Sequence, residues 1–382
     1  MDKNKRLTVW LPVIIAASIA LGIFIGNHYL SISQGKKRSY SSGNKINAIL
    51  DIIDEQYVDT VSMSKLVEST IPKIFSELDP HSVYIPAEDA SVVNEELEGS
   101  FSGIGVSFNM QTDTILVISV ISGGPAEKAG LLPFDRIISI NDSIFSGKKK
   151  NQGEIMKTLR GAKNSTVKLG VQRGNSPELL YFDVTRGDVP VNSVDVSYEA
   201  AKGIGYIKVS KFARNTYNEF ITAIAKLKQA GCTSFVIDLR GNTGGYMDAA
   251  INMINEFMPE GRLIVYTEGK SFPRSDVYAN GTGTCKDAPI VVLTDEISAS
   301  ASEIFSGAIQ DNDRGTIIGR RTYGKGLVQT QMSLSDGSEM RLTIARYYTP
   351  SGRCIQKKYE MGNTDAYDQD IYNRYMHGEF DS

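Results

Sequence analysis

The stretch "EISASASEIFSGAIQ", residues 296–310, places three serines at alternate positions just before an apolar, helix-like segment. A serine hydroxyl becomes an effective nucleophile only when a neighbouring base takes its proton. The usual base is histidine, but His28 flanks an apolar N-terminal span and His377 lies near a polar C-terminal end. His81 sits in a proline-flanked segment, and the G-x-S-x-G pattern of a nucleophile elbow is missing. The sequence therefore gives little support for a Ser-His-Asp triad.

Lysine is the other base that the sequence offers. Lys325 lies in "TYGKGLVQ" between Gly324 and Gly326, which allow the backbone to fold tightly around it. Ser–Lys pairs are a known variant of the triad, because a desolvated lysine loses its proton readily. To act as a base near neutral pH, Lys325 needs a pKa well below the usual value of about 10.4. Gln329 follows four residues later on the same face and can orient the amine without adding a charge.

The serine run leaves open which hydroxyl reacts. Residues two apart on a helix point in nearly opposite directions, so Ser298, Ser300 and Ser302 cannot all face one pocket. Ser300 and Glu303 also form a capping-box pattern, in which Ser300 is the N-cap and Glu303 reaches back to it. A cap and a nucleophile share one requirement, because a helix N-terminus offers free N–H groups and a dipole that favours an oxyanion. Both interpretations of Ser300 therefore remain open on these residues alone.

A glycine-rich stretch, "DLRGNTGG" at residues 238–245, is the second candidate component. It lies between an apolar strand and a helix, where backbone amides converge. It could hold a phosphate, but it lacks the G-x-x-x-x-G-K-[ST] pattern. It could equally donate N–H groups to a tetrahedral oxyanion, or be a plain strand-to-helix turn.

The surrounding sequence shows which elements must position these residues. From about residue 189, apolar strands such as "TSFVIDLR" and "APIVVLTDE" alternate with helical patterns. This alternation predicts an α/β core over residues 189–358. Residues 99–188 instead read as a small β-rich unit with two helices. Residues 45–98 have a helical period, and residues 359–382 form a C-terminal tail.

The N-terminus predicts a membrane anchor. Residues 7–26 carry no charge and have about the length that crosses a hydrocarbon core, whereas a cleaved signal peptide has an apolar region of only ~7–15 residues. Basic residues precede the span, which favours a cytoplasmic tail. We therefore expect a cytoplasmic tail and single-pass inner-membrane anchor over residues 1–30 and a linker over residues 31–44. The catalytic domain would lie on the extracytoplasmic, periplasmic side of the cell envelope.

Composition limits the classes of partner and metal site that the chain is expected to have. The formal net charge of -3 gives no reason to expect a nucleic-acid partner. The cysteines, Cys232, Cys285 and Cys354, are odd in number and lack C-x-x-C spacing. Neither a disulfide framework nor a zinc site is indicated.

Residues 99–188 resemble a PDZ domain. The resemblance rests on the run "GGPAEKAGLLPFDRIISIND" and on "GIGV", which is Gly103, Ile104, Gly105 and Val106. The second stretch stands where PDZ domains keep their carboxylate-binding loop. Successive backbone N–H groups in such a turn can grip a chain-terminal carboxylate while the peptide adds as a strand.

Residues 45–358 as a whole resemble the carboxyl-terminal processing, or tail-specific, serine proteases. The motifs that carry the resemblance occur in the family's order: "LDPHSVYIP", the PDZ-like block, "VIDLRGNTGG", "SASASEIFSGAIQD", "GRRTYGKGLVQT" and "YYTPSGRCIQ". The fold class expected is α/β, with a crotonase-like protease core, an inserted β-rich PDZ domain and an N-terminal transmembrane helix. The implied activity is that of a membrane-anchored serine endopeptidase whose protein substrates are recognised by their apolar C-terminal residues.

The resemblance also implies a role for each candidate residue. The middle serine of the run, Ser300, corresponds to the family's nucleophile. Lys325 corresponds to the general base and Gln329 to the residue that orients it. The oxyanion donors would be the backbone amides of Gly245 and Ala301. The resemblance implies no metal and no cofactor.

Two departures from the family pattern and two other functions bear on this prediction. Thr243 replaces a glycine that many members have, and the chain stops soon after "MHGEFDS", where many relatives continue with helical sequence that often serves dimerisation. The C-terminus and the oligomeric state, including a homo-oligomer, therefore stay open. One alternative function is a catalytically inactive PDZ scaffold that binds protein C-termini, and the other is a crotonase-type acyl-CoA enzyme.

Overall fold

The computed structural model describes residues 18–19, 42–111, 114–147 and 152–380. The chain divides into two compact units, one up to Thr70 and one from Ile71 onward. The helices are α1 (Ser42–Gln56), α2 (Met63–Ser76), α3 (Ala87–Glu98), α4 (Pro125–Ala129), α5 (Gln152–Leu159), α6 (Thr216–Gln229), α7 (Met247–Asn255), α8 (Ala301–Asp311), α9 (Asp365–Asp368) and α10 (Asp370–Met376). The two helices expected from the periodicity after residue 45 are thus confirmed as α1 and α2.

The strands are β1 (Val83–Ile85), β2 (Ser100–Gly103), β3 (Val106–Gln111), β4 (Thr114–Val120), β5 (Arg136–Ile140), β6 (Ser143–Ile144), β7 (Thr166–Gln172), β8 (Leu180–Thr185), β9 (Gly187–Pro190), β10 (Val194–Ala201), β11 (Ile204–Val209), β12 (Ser234–Asp238), β13 (Leu263–Glu268), β14 (Ser275–Tyr278), β15 (Ile290–Thr294), β16 (Thr316–Gly319), β17 (Leu327–Ser333) and β18 (Glu339–Tyr348).

The predicted transmembrane helix needs correction. Crossing a hydrocarbon core takes about 20 apolar residues in one helix. Among the helices of the described residues, none is long and apolar enough for this. The predicted fold class is therefore wrong in its N-terminal transmembrane helix. The predicted single-pass inner-membrane anchor is wrong for the same reason. Apart from residues 18 and 19, the span 7–26 lies outside the described residues.

The β-rich unit forms an antiparallel sheet in the order β3-β4-β5-β7-β8, with β6 paired to β5. Its buried face carries Val117, Ile137 and Leu169, which pack against Ile155 of α5. Strand β3 lies at the edge of this sheet, while β2 pairs separately with β9. An edge strand keeps unpaired backbone groups that another chain can bind.

The α/β core contains a sheet in the order β10-β11-β12-β15-β16, in which the pairs from β11 to β16 are parallel. Apolar side chains from this sheet and from α6, α7 and α8 form one buried cluster. Phe257 makes tilted, edge-type ring contacts with Phe220, Phe235 and Phe305 at centroid distances of 6.2, 6.3 and 6.4 Å. Such pairs contribute about 0.5–1.5 kcal/mol each beyond their buried area. Because Phe305 belongs to α8, this cluster fixes the helix that begins after Ser300.

Topology explains why the two candidate loops meet. The glycine-rich loop follows β12 and the serine run follows β15, and these strands are parallel neighbours, with Asp238 opposite Leu293. The carboxyl ends of parallel strands share one edge of a sheet, where α/β proteins place their sites. A second sheet, in the order β1-β18-β13-β14 with β17 paired to β18, carries the sequence after Lys325.

Candidate active site

Ser300 occupies the position just before α8 in an unusual backbone conformation. Its φ and ψ angles are 55° and −112°, although serine carries a Cβ that disfavours positive φ. Strain of this kind costs on the order of 1–3 kcal/mol and persists only where the surroundings enforce it. The enforcement comes from the glycine-rich loop, since the Asn242 carbonyl accepts the Ala299 N–H at 3.0 Å and the Ser302 hydroxyl at 2.9 Å. The middle serine alone is thus exposed to the cleft side, while Ser298 and Ser302 are fully buried.

The glycine-rich loop packs directly on this turn. A Cβ at Gly244 would lie 2.7 Å from the Ser300 Cβ and 2.7 Å from the Ala299 carbonyl oxygen. Gly244 and Gly245 also have φ angles of 101° and 139°. Only glycine combines this conformation with so close an approach.

Replacing Gly244 with alanine is expected to lower peptide cleavage by about 10²-fold, because the new methyl group would push the Ser300 turn out of place. The measurement is kcat and KM beside the thermal midpoint. Gly241→Ala is the matched control: Gly241 has a φ of 72°, but a Cβ there meets no atom within 4 Å. Equal losses in both variants would mean that backbone strain, not the collision with Ser300, causes the effect.

Glu303 joins the two candidate catalytic segments. Its carboxylate is 2% exposed and accepts the Ser300 N–H at 2.8 Å, as the capping-box pattern predicts. The same oxygen, Oε2, also accepts the Lys325 N–H at 2.8 Å. One carboxylate oxygen therefore bridges the backbone nitrogens of Ser300 and Lys325. Its Oε1 accepts the Gly324 N–H and the Thr322 hydroxyl, both at 2.7 Å. Burial raises the pKa of Glu303 against the opposing effect of these hydrogen bonds.

The backbone of Lys325 is held on both sides. Glu303 accepts its N–H, and the Tyr347 hydroxyl donates to its carbonyl. Burial lowers the pKa of the Lys325 amine, and the nearby charge of Arg341 lowers it further, while Asp79 and Glu303 act in the opposite direction. Both leading causes favour the neutral amine that a general base requires.

A cleft of about 560 Å³ brings the predicted site residues together. Ser300, Ala301, Lys325, Gln329 and Gly245 all line it. Within the described chain, the Ser300 hydroxyl and the Lys325 amine make no direct hydrogen bond; such contacts are often long in free enzymes and shorten with substrate. The Gln329 amide nitrogen donates to the His81 carbonyl, and no hydrogen bond joins Gln329 to Lys325 in the described part of the chain.

The proposed oxyanion donors are free to act. The N–H groups of Gly245 and Ala301 have no protein acceptor in the described part of the chain. They lie close together, since a Cβ on Gly244 would be 3.0 Å from the Ala301 nitrogen. The Ala301 N–H belongs to the first turn of α8, where the helix dipole also favours negative charge.

The PDZ-like unit has its own groove. A cavity of about 220 Å³ lies between β3 and α5, and Ile104, Gly105 and Val106 line it together with Met156 and Leu159. Gly103 does not line it and pairs with Gly187 instead. The groove therefore places three of the four "GIGV" residues beside the free edge of β3.

Sequence reasoning missed several residues that line the cleft or act on its side chains. It assigned Glu303 only to capping, and it gave no role to Tyr347, Arg341 or Asp79. The motif "LDPHSVYIP" was a usable signal for Asp79 and His81, but it said nothing about where that segment packs.

Comparisons with known proteins identify the family of the chain. A model of peptidase family S41 matches residues 203–365, and a PDZ-domain model matches residues 102–195. The carboxy-terminal processing protease CtpB of Bacillus subtilis (strain 168) is 35% identical over 318 residues, which cover 82% of this chain and 66% of that protein. A probable CtpA-like serine protease of Staphylococcus aureus (strain N315) is 33% identical over 365 residues, which cover 94% of this chain and 72% of that protein.

Among solved structures, the photosystem II D1 C-terminal processing protease matches with a TM-score of 0.47 and 28% identity, over 83% of this chain and 91% of that one. The chain spans about two thirds of the length of the Bacillus relative. Sequence identity above 30% over nearly the whole chain, together with the two family matches, decides the family. The chain belongs to peptidase family S41, as a carboxy-terminal processing serine protease with a PDZ domain.

Proposed function

We propose that the chain cleaves proteins with a Ser300–Lys325 dyad. The observation that carries the proposal is the shared contact at Glu303, whose single oxygen accepts the backbone N–H groups of both residues. Ser300 attacks the peptide carbonyl, and neutral Lys325 takes its proton and later returns it to the leaving amine. The amides of Gly245 and Ala301 hold the oxyanion, and water then hydrolyses the acyl-enzyme.

The test uses the whole chain and an unstructured protein with an apolar C-terminus. Ser300→Ala is expected to reduce cleavage by at least about 10⁴-fold and to abolish labelling by a serine-reactive probe. Circular dichroism and the thermal midpoint show whether the variant is folded. Cleavage that survives in folded Ser300→Ala would exclude Ser300 as the nucleophile. A folded wild-type chain that binds C-terminal peptides but is neither labelled nor active would instead be the inactive scaffold.

We further propose that the groove between β3 and α5 binds the free C-terminus of apolar substrates. The support is the free β3 edge beside Ile104, Gly105 and Val106. An extended peptide can add to such an edge while loop amides hold its carboxylate. Gln329 and Gly103 keep the roles that the resemblance implies, as positioning residue and as part of the "GIGV" turn.

A C-terminally amidated peptide is expected to bind at least about tenfold more weakly than the same peptide with a free carboxylate. Met156→Glu should weaken binding of the free peptide as well, because Met156 lines the groove. Ile144→Glu is the control, since Ile144 lies in β6 of the same sheet, is 62% exposed and does not line the groove. Fluorescence anisotropy measures peptide binding by the wild type and by each variant. Equal affinity of the wild type for the amidated and the free-carboxylate peptide would rule out carboxylate recognition.

A further inference from the structure

The segment around His81 enters the active site without a role in the proposed reaction. The Asp79 carboxylate accepts the N–H groups of His81 and Ser82, both at 3.0 Å, and the Ser82 hydroxyl at 2.5 Å. It also accepts the Thr343 hydroxyl of β18 at 2.9 Å. Burial opposes the charge, but these hydrogen bonds outweigh it and lower the pKa of Asp79. The loop that contains Asp79 and His81 is therefore held in place against β18 of the second sheet.

His81 faces the site from this fixed loop. Its carbonyl accepts the Gln329 amide. Burial and the nearby charge of Lys325 lower the pKa of its imidazole to about 4, so His81 is neutral at physiological pH. A neutral imidazole can hold a neighbour by hydrogen bonding without adding charge beside the base.

The partner of the His81 imidazole comes from the other end of the chain. His81 Nε2 shares a hydrogen bond of 2.7 Å with the hydroxyl of Tyr367 in α9, and the two rings meet edge to face at 5.4 Å. Tyr367 is 3% exposed. Burial raises the pKa of Tyr367, so its hydroxyl stays uncharged across the working pH range.

Tyr367 also contacts the loop that carries the base. Its ring meets that of Tyr323 edge to face at 6.0 Å, two residues before Lys325. The Lys357 ammonium lies 4.0 Å from the ring centre of Tyr367 and 4.2 Å from that of Tyr323. One buried side chain of the C-terminal segment thus touches the Lys325 loop on one side and His81 on the other.

We propose that Tyr367 and His81 are positioning residues for Lys325, so that the C-terminal segment containing α9 keeps the base in its reactive place. The proposal rests on the Ser300–Lys325 dyad proposed above. Tyr367 packs on Tyr323 and so limits where the Lys325 loop can move. Through His81 it also fixes the carbonyl that holds Gln329, which lines the same cleft as Lys325.

The test compares whole-chain variants. Tyr367→Phe removes the hydroxyl, keeps the ring and changes no charge, so the groups that face Lys325, namely Arg341, Asp79, Glu303 and His81, stay the same. We expect kcat to fall about tenfold while KM stays within twofold, because only the placement of the base changes. The limb of the kcat profile that reports deprotonation of Lys325 should move to higher pH, since a looser amine is better hydrated.

Coupling and controls sharpen the result. His81→Leu should lower kcat similarly. The double variant His81→Leu/Tyr367→Phe should lose no more than the worse single variant, because both changes remove the His81–Tyr367 hydrogen bond, and Tyr367→Phe also removes the 3.4 Å contact from the Gln356 amide. Tyr372→Phe is the matched control on α10, where Tyr372 is 61% exposed. Its kcat, KM and pH profile should equal those of the wild type.

The outcomes separate this inference from the proposed function. If the limb of the kcat–pH profile does not shift in Tyr367→Phe, the inference is overturned. This holds whether kcat is unchanged or falls together with the thermal midpoint. If Lys325→Met, measured in parallel, still cleaves, the dyad itself is wrong. A tenfold loss with a shifted pH limb and a non-additive double variant supports the positioning role.

Discussion

Replacing Lys325 with methionine is expected to abolish peptide cleavage and, at neutral pH, to make the protein more stable. Cleavage should fall by about 10⁴-fold, because Ser300 would lose the group that takes its proton. Stability should rise because burial lowers the pKa of the Lys325 amine, which shows that the folded protein holds the charged form at a cost. Methionine fills a similar volume without a charge.

The pH dependence of the stability gain follows from the direction of the pKa shift. The unfolded chain has a lysine pKa near 10.5, and the folded state has a lower one. The folded state therefore binds fewer protons between these two values, and wild-type stability rises with pH across that interval. The advantage of Lys325→Met should be largest below the folded pKa and vanish near pH 10.5. Chemical unfolding at several pH values measures it, and a less stable variant at neutral pH would contradict it.

The catalytic pH profile provides an independent check on Lys325. Since the neutral amine is the proposed base, kcat/KM of the wild type should increase with pH through the folded pKa of Lys325, which lies below the ordinary lysine value of 10.5. A profile that is flat over this range would mean that another group takes the proton.

Glu303→Gln is expected to lower both the stability of the fold and the rate of cleavage. The buried carboxylate accepts hydrogen bonds from three N–H groups and one hydroxyl, those of Ser300, Gly324, Lys325 and Thr322. A glutamine would turn an NH₂ group toward some of these donors, leaving them unpaired. The free energy of unfolding should fall by about 3 kcal/mol, and cleavage by about 10²-fold or more as Ser300 and Lys325 separate.

Denaturant unfolding and steady-state kinetics measure the two effects of Glu303→Gln. Glu296→Gln is the control, because Glu296 pairs with the partly exposed Arg320 and makes no contact with the site. Its cost should stay within about 1 kcal/mol, with normal kinetics. If the two variants behaved alike, Glu303 would not be the link between the catalytic segments.

Local sequence predicted those parts of the site whose residues are close in the chain. The start of α8, the Ser300–Glu303 pair and the glycine-rich turn after β12 all arise within a few residues, where capping and turn chemistry decide the structure. The α/β core also follows from apolar strands that alternate with helical patterns along the sequence. These predictions were confirmed.

The remaining contacts depend on packing between distant segments. Glu303 meets Lys325 across 22 positions, and Gln329 meets His81 across 248. Spacing alone placed Gln329 on the same face as Lys325. In the fold, β17 and β1 both pair with β18, and the loop before β1 carries His81, whose carbonyl accepts the Gln329 amide. No periodicity in one sequence encodes such a meeting.

The contact between His81 and Tyr367 has a consequence for biosynthesis. The two residues are 286 positions apart. A ribosome adds roughly 5–20 residues per second, so about 15–60 s pass between the synthesis of one and that of the other. During that time the cleft lacks the Tyr367 side chain that, as proposed above, positions its base. If Tyr367 positions Lys325 as proposed above, a nascent chain that ends before Tyr367 should cleave more slowly than one that includes it.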